Sequence, residues 1–170
     1  MKLTALIAAV MTLALASTAA AAVPGAWQRA ADRLDMPVLY PTHHPGLTLN
    51  RVVPREIDCG PIEEEVDGYY RGVSGNGKRL RIAEGRPFYC GDIGDARLLA
   101  HPTIHGRRAS LYEYCEGTGC GRATHRYLLT WREQGIQLTL ISRGSPRPML
   151  YAIARSMTRV TDTASARPIS

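Results

Sequence analysis

The sequence predicts an α+β domain: an antiparallel β-sheet of about six to seven strands, arranged as a meander of hairpins, with a C-terminal helix packed on one face and a short N-terminal helix. Apolar and polar residues alternate along successive short segments between residues 47 and 142, which is typical of strands with one face in water. Glycine and asparagine separate these segments, and both accept the positive φ of tight turns. Near the two ends, apolar residues recur at the three-to-four spacing of amphipathic helices.

The N-terminal helix is predicted at Ala26–Met36, because apolar residues recur there at helical spacing. These residues are Trp27, Ala30, Ala31 and Leu34. Pro37 ends the helix, since the residue before a proline is disfavoured in helical geometry. Residues 38–46 contain two further prolines and predict an extended link, which leads to a strand at about Leu47–Arg55.

Three hairpins are predicted between residues 66 and 142. Their strands are Val66–Val73 with Lys78–Ala83, Arg97–Ile104 with Arg107–Tyr114, and Arg126–Arg132 with Ile136–Ser142. Each turn contains glycine, which favours a tight reversal of the chain. In the last hairpin apolar residues occupy alternate positions of both strands, so it is the most strongly patterned part of the chain.

The C-terminal helix is predicted to begin with Ser145 as its N-cap and Pro146 at the first helical position. An apolar stripe then follows at helical spacing, made of Met149, Leu150, Ile153, Ala154 and Met157. We expect this stripe to pack on one face of the sheet. Residues 161–170 are small and polar without periodicity, which predicts a disordered tail.

The first 22 residues have the three parts of a secretory signal peptide. Lys2 precedes the apolar run Leu3–Ala16, and small residues follow up to Ala22, where cleavage is predicted. An uncleaved membrane anchor is the alternative, but the run is shorter than the roughly 20 residues that a spanning helix needs. We therefore expect an exported protein, periplasmic or secreted, whose mature chain has no transmembrane segment. The predicted organisation has four parts: a signal peptide at 1–22, a short helix at 23–36, one α+β domain at 37–160 and a tail at 161–170.

The chain carries a formal net charge of +6, and the excess is nearly all arginine. A basic exported domain is attracted to anionic polymers and lipid headgroups. The arginines are scattered rather than clustered in a basic run, which argues against nucleic-acid binding. The partners we expect are an envelope polymer, an anionic lipid or an envelope protein.

Four cysteines form an even set, which in an oxidising destination favours two disulfide bonds. Three pairings are possible, and we favour Cys59–Cys90 with Cys115–Cys120, because two glycines inside the short second loop allow the chain to reverse. A zinc site is the alternative, since three histidines lie nearby in sequence: His101, His105 and His125. The Cys-x4-Cys spacing is loose for zinc and Pro102 interrupts the histidines, so we predict no metal and no cofactor.

Several stretches resemble a bacterial extracytoplasmic domain of unknown function, which occurs in secreted proteins and lipoproteins and as the outer module of anti-sigma-factor and sporulation-associated proteins. They are Pro37–Pro41, Pro45–Leu49, Tyr127–Trp131, Gly135–Leu140 and Leu150–Met157. The resemblance covers about residues 37–158 and implies an antiparallel sheet with a packed C-terminal helix. The four cysteines and Arg107–Arg108 depart from it, and it carries over no functional residue.

The candidate binding residues are tyrosines and arginines of the predicted strands. They are Tyr69, Arg71, Arg79, Arg81, Arg107, Tyr112 and Tyr114. If they share one sheet face, aromatic rings and guanidinium groups together form a surface for a sugar polymer, a peptide or an anionic lipid. The alternative is that half-buried tyrosines line an ordinary sheet.

No complete catalytic constellation is recognisable in the sequence. Glu63–Glu65 with Asp67 form the densest acidic cluster, suited to a glycosidase or to calcium, although a solvated loop before a strand is the expected interpretation. Cys90 beside His105 or His125 is the only arrangement for a thiol hydrolase. The leading hypothesis is an exported, non-catalytic domain that binds a ligand or protein partner at the cell envelope or outside the cell. The alternatives are a small secreted hydrolase, or a disulfide-stabilised inhibitor of a secreted enzyme.

Overall fold

A computed structural model describes residues 23–57, 63–75, 77–85, 96–115 and 125–160. The predicted signal peptide and C-terminal tail lie outside the described residues. In chain order the elements are α1 (Gly25–Ala31), β1 (Leu39–Pro41), β2 (Leu47–Ile57), β3 (Glu63–Gly72), β4 (Arg79–Gly85), β5 (Arg97–Ala100), β6 (Thr103–Ile104), β7 (Arg107–Arg108), β8 (Ser110–Cys115), β9 (His125–Glu133), β10 (Ile136–Arg143), α2 (Arg147–Arg155) and β11 (Met157–Arg159).

The main sheet has seven strands in the order β2-β3-β4-β10-β9-β8-β5, and every neighbouring pair is antiparallel. This confirms the predicted α+β class. Two runs of consecutive strands, β2-β3-β4 and β8-β9-β10, meet where β4 pairs with β10. That long-range pairing is not specified by any local turn signal. It aligns Arg79 with Arg143 and Leu80 with Ser142.

A small ribbon of β1 and β11 was not predicted. The link at residues 38–46 supplies β1, which pairs with β11 at the end of the predicted helix stripe. Helix α2 ends at Arg155 because Ser156 turns to the link: its Oγ donates to the Ile153 carbonyl oxygen at 2.8 Å and accepts from the His43 amide at 3.1 Å. These contacts fasten the chain beyond α2 to the link and leave Met157 buried as a strand residue.

Helix α1 is shorter than predicted and ends at Ala31. The Arg33 amide donates to the Ala30 carbonyl oxygen at 3.1 Å, which tightens the last turn. Two residues further on, the Asp35 amide donates to Glu64 Oε1 at 3.0 Å and not to a helical carbonyl oxygen. The backbone therefore leaves helical geometry because a side chain of the sheet captures one of its amides.

The predicted start of α2 is wrong by one residue. Pro146 is the N-cap, with an extended backbone (φ −72°, ψ 153°), and the helix begins at Arg147. Ser145 is buried, and its hydroxyl has no hydrogen-bond partner among the described residues. The reason is that Gly144, at φ +69°, turns the chain so that Ser145 faces the interior instead of the first helical amides.

One hydrophobic core joins the helices, the β1–β11 ribbon and one face of the sheet. The alternating residues Ile136, Leu138 and Leu140 of β10 are each at most 1 % exposed, as the sequence pattern predicted. Trp27 of α1 is fully buried over β3. No helix within the described ranges is long and apolar enough to cross a membrane.

Candidate binding face

The seven-stranded sheet has two chemically different faces, because successive side chains of a strand point to opposite sides. One face carries the core. The opposite face carries arginines on five neighbouring strands, and we call it the arginine face. Six of its arginines surround one cavity: Arg51, Arg71, Arg79, Arg81, Arg126 and Arg143.

Four of these arginines stand directly opposite one another across the sheet. The register pairs Arg71 with Arg79, Arg79 with Arg143, and Arg143 with Arg126. We call these four residues the arginine row. With neighbouring strands about 4.8 Å apart, the row spans about 14 Å, and it continues to Tyr114 on β8, which pairs with Arg126.

A second line of side chains runs parallel to the arginine row, two residues further along the strands. In it, Tyr69 pairs with Arg81, and Arg81 with Ile141. A cavity of about 410 Å³ is lined by side chains of both lines. Two lines of one face are separated by about 6.7 Å along a strand.

The structure brings six of the seven predicted binding residues to this face. Four of them, on β3 and β4, line the cavity: Tyr69, Arg71, Arg79 and Arg81. Tyr112 and Tyr114 share the face but stand on β8, with β10 and β9 between them and β4. Arg107 is separated from the others, because it lies on β7 in the small β6–β7 ribbon.

That ribbon exists because the predicted strand Arg97–Ile104 is interrupted. Residues 101 and 102 belong to no strand, and the Pro102 carbonyl oxygen accepts the Ala109 amide at 2.8 Å. The ends of both predicted strands therefore form a separate hairpin, which turns at His105 and Gly106 as expected. The placement of Arg107 on the common face was thus wrong.

Three arginines of the cavity were missed: Arg51, Arg126 and Arg143. Arg126 and Arg143 begin and end the best-patterned hairpin, and its register places them opposite each other. The alternation of that hairpin was a signal from which both could have been found. Alternation within β2 does not predict the face of Arg51, because an irregularity in the β2–β3 register between Leu49 and Arg51 shifts the strand by one residue.

The acidic cluster is part of β3 and not the solvated loop that was expected. Asp67 is 1 % exposed and Glu65 is 8 % exposed. Arg81 donates from Nε to Asp67 Oδ1 at 2.6 Å, and from one terminal nitrogen to Glu65 Oε1 and Asp67 Oδ2, both at 2.9 Å. Burial alone would lower the pKa of Arg81, but its hydrogen bond to Asp67 and the two carboxylate charges raise it.

Tyr69 is fully engaged by its neighbours. The Arg51 guanidinium lies 4.6 Å from the centre of its ring, a cation–π contact. Its hydroxyl donates to Asp67 Oδ2 at 3.1 Å. One face of the ring is therefore covered by Arg51.

Three members of the arginine row are not neutralised in the same way. Within the part of the chain that the structure describes, no carboxylate forms an ion pair with Arg71, Arg79 or Arg143. Arg71 and Arg79 are exposed, and Arg143 is half-buried. Asp67 and Glu65 stand further along β3 and are held by Arg81. The cavity wall formed by the row is therefore strongly positive and suited to an anion.

The other candidate residues are placed apart from this face or serve structural contacts. His101 Nδ1 lies 3.3 Å from Ser110 Oγ, and His125 Nε2 is hydrogen-bonded to Glu113 Oε1. His44 donates from Nδ1 to the Leu47 carbonyl oxygen at 2.8 Å. Within the described residues, no three His, Cys, Asp or Glu side chains are arranged to hold a metal ion.

One cysteine lies among the described residues. Cys115 ends β8 and is disulfide-bonded, so it carries no free thiolate. Its predicted partner Cys120 and the predicted pair Cys59–Cys90 lie outside the described residues. Both pairings therefore stay predictions, as does a role for Cys90 as a nucleophile.

His105 has acceptors at both ring nitrogens, which favours its charged form. Nδ1 lies 2.9 Å from Glu133 Oε2, and Nε2 lies 3.0 Å from the Arg155 carbonyl oxygen at the end of α2. The hydrogen bond to that carbonyl raises the pKa of His105, burial opposes the change, and Glu133 adds to it. The folded protein therefore holds this proton to higher pH than the unfolded chain.

We expect His105 to contribute stability that is fully present below about pH 6.5, the unfolded pKa, and is lost as the pH rises through the raised folded pKa. The variant His105→Asn, which tolerates the positive φ of 47° at this position, should lack this component. The measurement is the free energy of unfolding in urea between pH 5 and 8. An imidazole titration by NMR with a midpoint at or below about 6.5 would contradict the prediction.

A comparison of the chain with family models, curated proteins and solved structures finds no match. The resemblance of residues 37–158 to an extracytoplasmic domain accordingly stays a prediction.

Proposed function

We propose that this chain is an exported, non-catalytic domain that binds an anionic ligand or partner at the cell envelope through the arginine face. The observation that carries the proposal is the cavity of about 410 Å³, whose lining among the described residues has six arginines and no acidic residue. Charges of one sign around a concavity concentrate ions of the opposite sign there. The pattern of residues 1–22 supports export.

The contacts of the acidic cluster favour binding over hydrolysis. A glycosidase needs two carboxyl groups free to act on the substrate. Asp67 and Glu65 are instead buried and held by Arg81, and Glu64 Oε1 accepts the Asp35 amide. These carboxylates stabilise the fold and position Arg81 at the cavity.

Two variants of equal charge test the proposal. The first, Arg71→Gln/Arg79→Gln/Arg143→Gln, removes three charges from the arginine row. The second, Arg33→Gln/Arg108→Gln/Arg159→Gln, removes three exposed arginines that lie away from the main sheet. Binding of the purified proteins to isolated envelope fractions is measured by sedimentation.

We expect the first variant to bind about tenfold more weakly or worse, since a tenfold loss is about 1.4 kcal/mol and charge-assisted hydrogen bonds contribute more than that together. The second variant should bind within about twofold of the original protein, apart from a general salt effect. Equal losses of affinity in both variants would contradict binding at the arginine face, because they would show that binding depends on net charge alone. Mass spectrometry of the exported protein should place its N-terminus at Val23, and an intact N-terminus would contradict cleavage.

A further inference from the structure

We infer that the arginine row binds successive phosphate groups of a phosphodiester polymer. This inference rests on the proposed function and names the class of its ligand. The row is regular: Arg71, Arg79, Arg143 and Arg126 stand at consecutive strands, about 4.8 Å apart. A ligand that follows it runs across the strands and meets a guanidinium group at each step. A polymer with repeated anionic groups has that form.

The row is unfavourable to the protein without an anion. Like charges directly opposite each other destabilise a sheet, and Arg71, Arg79 and Arg143 form two such pairs in succession. Carboxylates of β3 that could have offset the repulsion are committed to Arg81, on the far side of the cavity. A bound polyanion offsets the repulsion along the whole row.

The chemistry of guanidinium pairs favours phosphate over carboxylate. One planar carboxylate presents two oxygens in a plane and is satisfied by one arginine in a fork-to-fork contact. A phosphate group presents oxygens in several directions, so two neighbouring guanidinium groups can donate to it at once. Arg79 and Arg143 form such a neighbouring pair at the middle of the row.

The cavity favours a narrow polymer over a lipid surface. Arg126 and Arg143 are half-buried beside it, and a narrow chain that enters the cavity contacts them on more sides than a flat bilayer surface does. It also favours a polymer without bases, because proteins bind single-stranded nucleic acids by stacking bases on aromatic rings. Of the two tyrosines that line the cavity, Tyr69 has one face of its ring covered by Arg51, and Tyr70 is buried.

The test uses poly(glycerol phosphate) as the probe, with binding measured by titration calorimetry at several salt concentrations. We expect the original protein to bind it and the Arg71→Gln/Arg79→Gln/Arg143→Gln variant to lose about tenfold or more in affinity. The slope of log affinity against log salt should fall by about one for each arginine removed from phosphate contact. The Arg33→Gln/Arg108→Gln/Arg159→Gln variant should keep both the affinity and the slope.

A milder variant and a fold control keep the test decisive. Arg143→Lys retains the positive charge but replaces the planar guanidinium group, whose N–H groups donate in parallel, with a single ammonium group. The affinity for the polymer should therefore fall several-fold if two N–H groups of Arg143 hold the phosphate. The triple variant of the row should unfold in urea at the same or a higher midpoint than the original protein, because like-charge repulsion is relieved. If the triple variant is unfolded, Arg143→Lys decides: unchanged affinity in that variant overturns the inference.

Three competing ligands separate the possible sources. The protein should bind each of them more weakly than poly(glycerol phosphate) at matched charge. They are the carboxylate polymer hyaluronan, vesicles of anionic phospholipid, and single-stranded DNA. Equal or tighter binding of any of them overturns the inference. If the row variant loses binding to envelope fractions while poly(glycerol phosphate) neither binds nor competes, the inference fails and the proposed function stands. If the polymer binds and envelope fractions do not, the proposed location fails.

Discussion

Replacement of Gly68 by alanine is expected to destabilise the protein by about 3 kcal/mol, at the upper end of the usual cost of overpacking. Gly68 lies on the core face of β3, under the indole ring of Trp27. An added Cβ would lie 2.3 Å from Cζ2 and 2.7 Å from Cη2 of that ring. The ring has no easy escape, because it is fully buried and its Nε1 donates to the Tyr70 hydroxyl at 3.1 Å.

A double-mutant cycle with Trp27→Leu identifies the cause. Trp27→Leu by itself should cost about 3 kcal/mol through lost burial and the cavity that it leaves. In that background Gly68→Ala should cost less than about 1 kcal/mol, because the clashing ring is gone. Free energies of unfolding come from urea titrations followed by circular dichroism. Gly25→Ala is the matched control, since its Cβ would have only one contact, at 3.4 Å with the end of Arg29. An equal cost of Gly68→Ala in both backgrounds would contradict the explanation.

The second large effect is expected at Glu84, a carboxyl group with no exposed surface in the core. Its Oε2 accepts the Leu39 amide of β1 at 2.8 Å, while Oε1 has no hydrogen-bond partner among the described residues. Burial raises the pKa of Glu84 well above its ordinary value, although the Leu39 amide acts in the opposite direction. The folded protein therefore keeps this carboxyl protonated at a pH where the unfolded chain has already ionised it.

The sign of the pH dependence follows from that difference. Between the unfolded pKa of about 4.3 and the raised folded pKa, the folded state binds more protons than the unfolded state, so stability falls as the pH rises. Glu84→Gln keeps an acceptor for the Leu39 amide and cannot ionise. The variant should match the original protein near pH 4 and be the more stable of the two at pH 8.

The comparison should be made in the His105→Asn background, because His105 also lowers stability as the pH rises. The free energies of unfolding of the proteins with and without Glu84→Gln should be measured from pH 4 to 9. The two values should agree near pH 4 and differ increasingly as the pH rises. Glu84→Leu separates the charge from the hydrogen bond: it too should lack the slope, but it leaves the buried Leu39 amide unsatisfied and should be about 1–3 kcal/mol less stable than Glu84→Gln. Parallel curves for the proteins with and without the Glu84→Gln substitution would contradict the raised pKa.

Much of the local structure could be predicted because its signals are local. The β9–β10 hairpin was predicted from alternation, and the turn at His105–Gly106 from its residues. The elements that differed do so because of distant partners. Glu64 captures the Asp35 amide and ends α1 early, and Ser156 turns to His43 and ends α2.

The candidate site shows the same division. Alternation in β3 and β4 was sufficient to place Tyr69 and Arg81 on one face, and these residues do line one cavity. The acidic residues nearby were expected in a solvated loop, because three consecutive glutamates suggest solvent exposure. They form part of β3 because Arg81 of the neighbouring strand pairs with Glu65 and Asp67. An ion pair between strands is invisible to a pattern within one strand.

Local sequence patterns were sufficient for the β3–β4 and β9–β10 hairpins and for most of α2, including which side chains of these strands point away from the core. These properties depend on residues within a few positions of one another. The pairing of β4 with β10 and that of β1 with β11 depend on the packing of the whole chain. The first of these pairings aligns Arg79 with Arg143 and so joins two pairs of arginines into one row. Such a pairing is selected by burial of the whole core, because residues about 60 positions apart carry no local signal of their register.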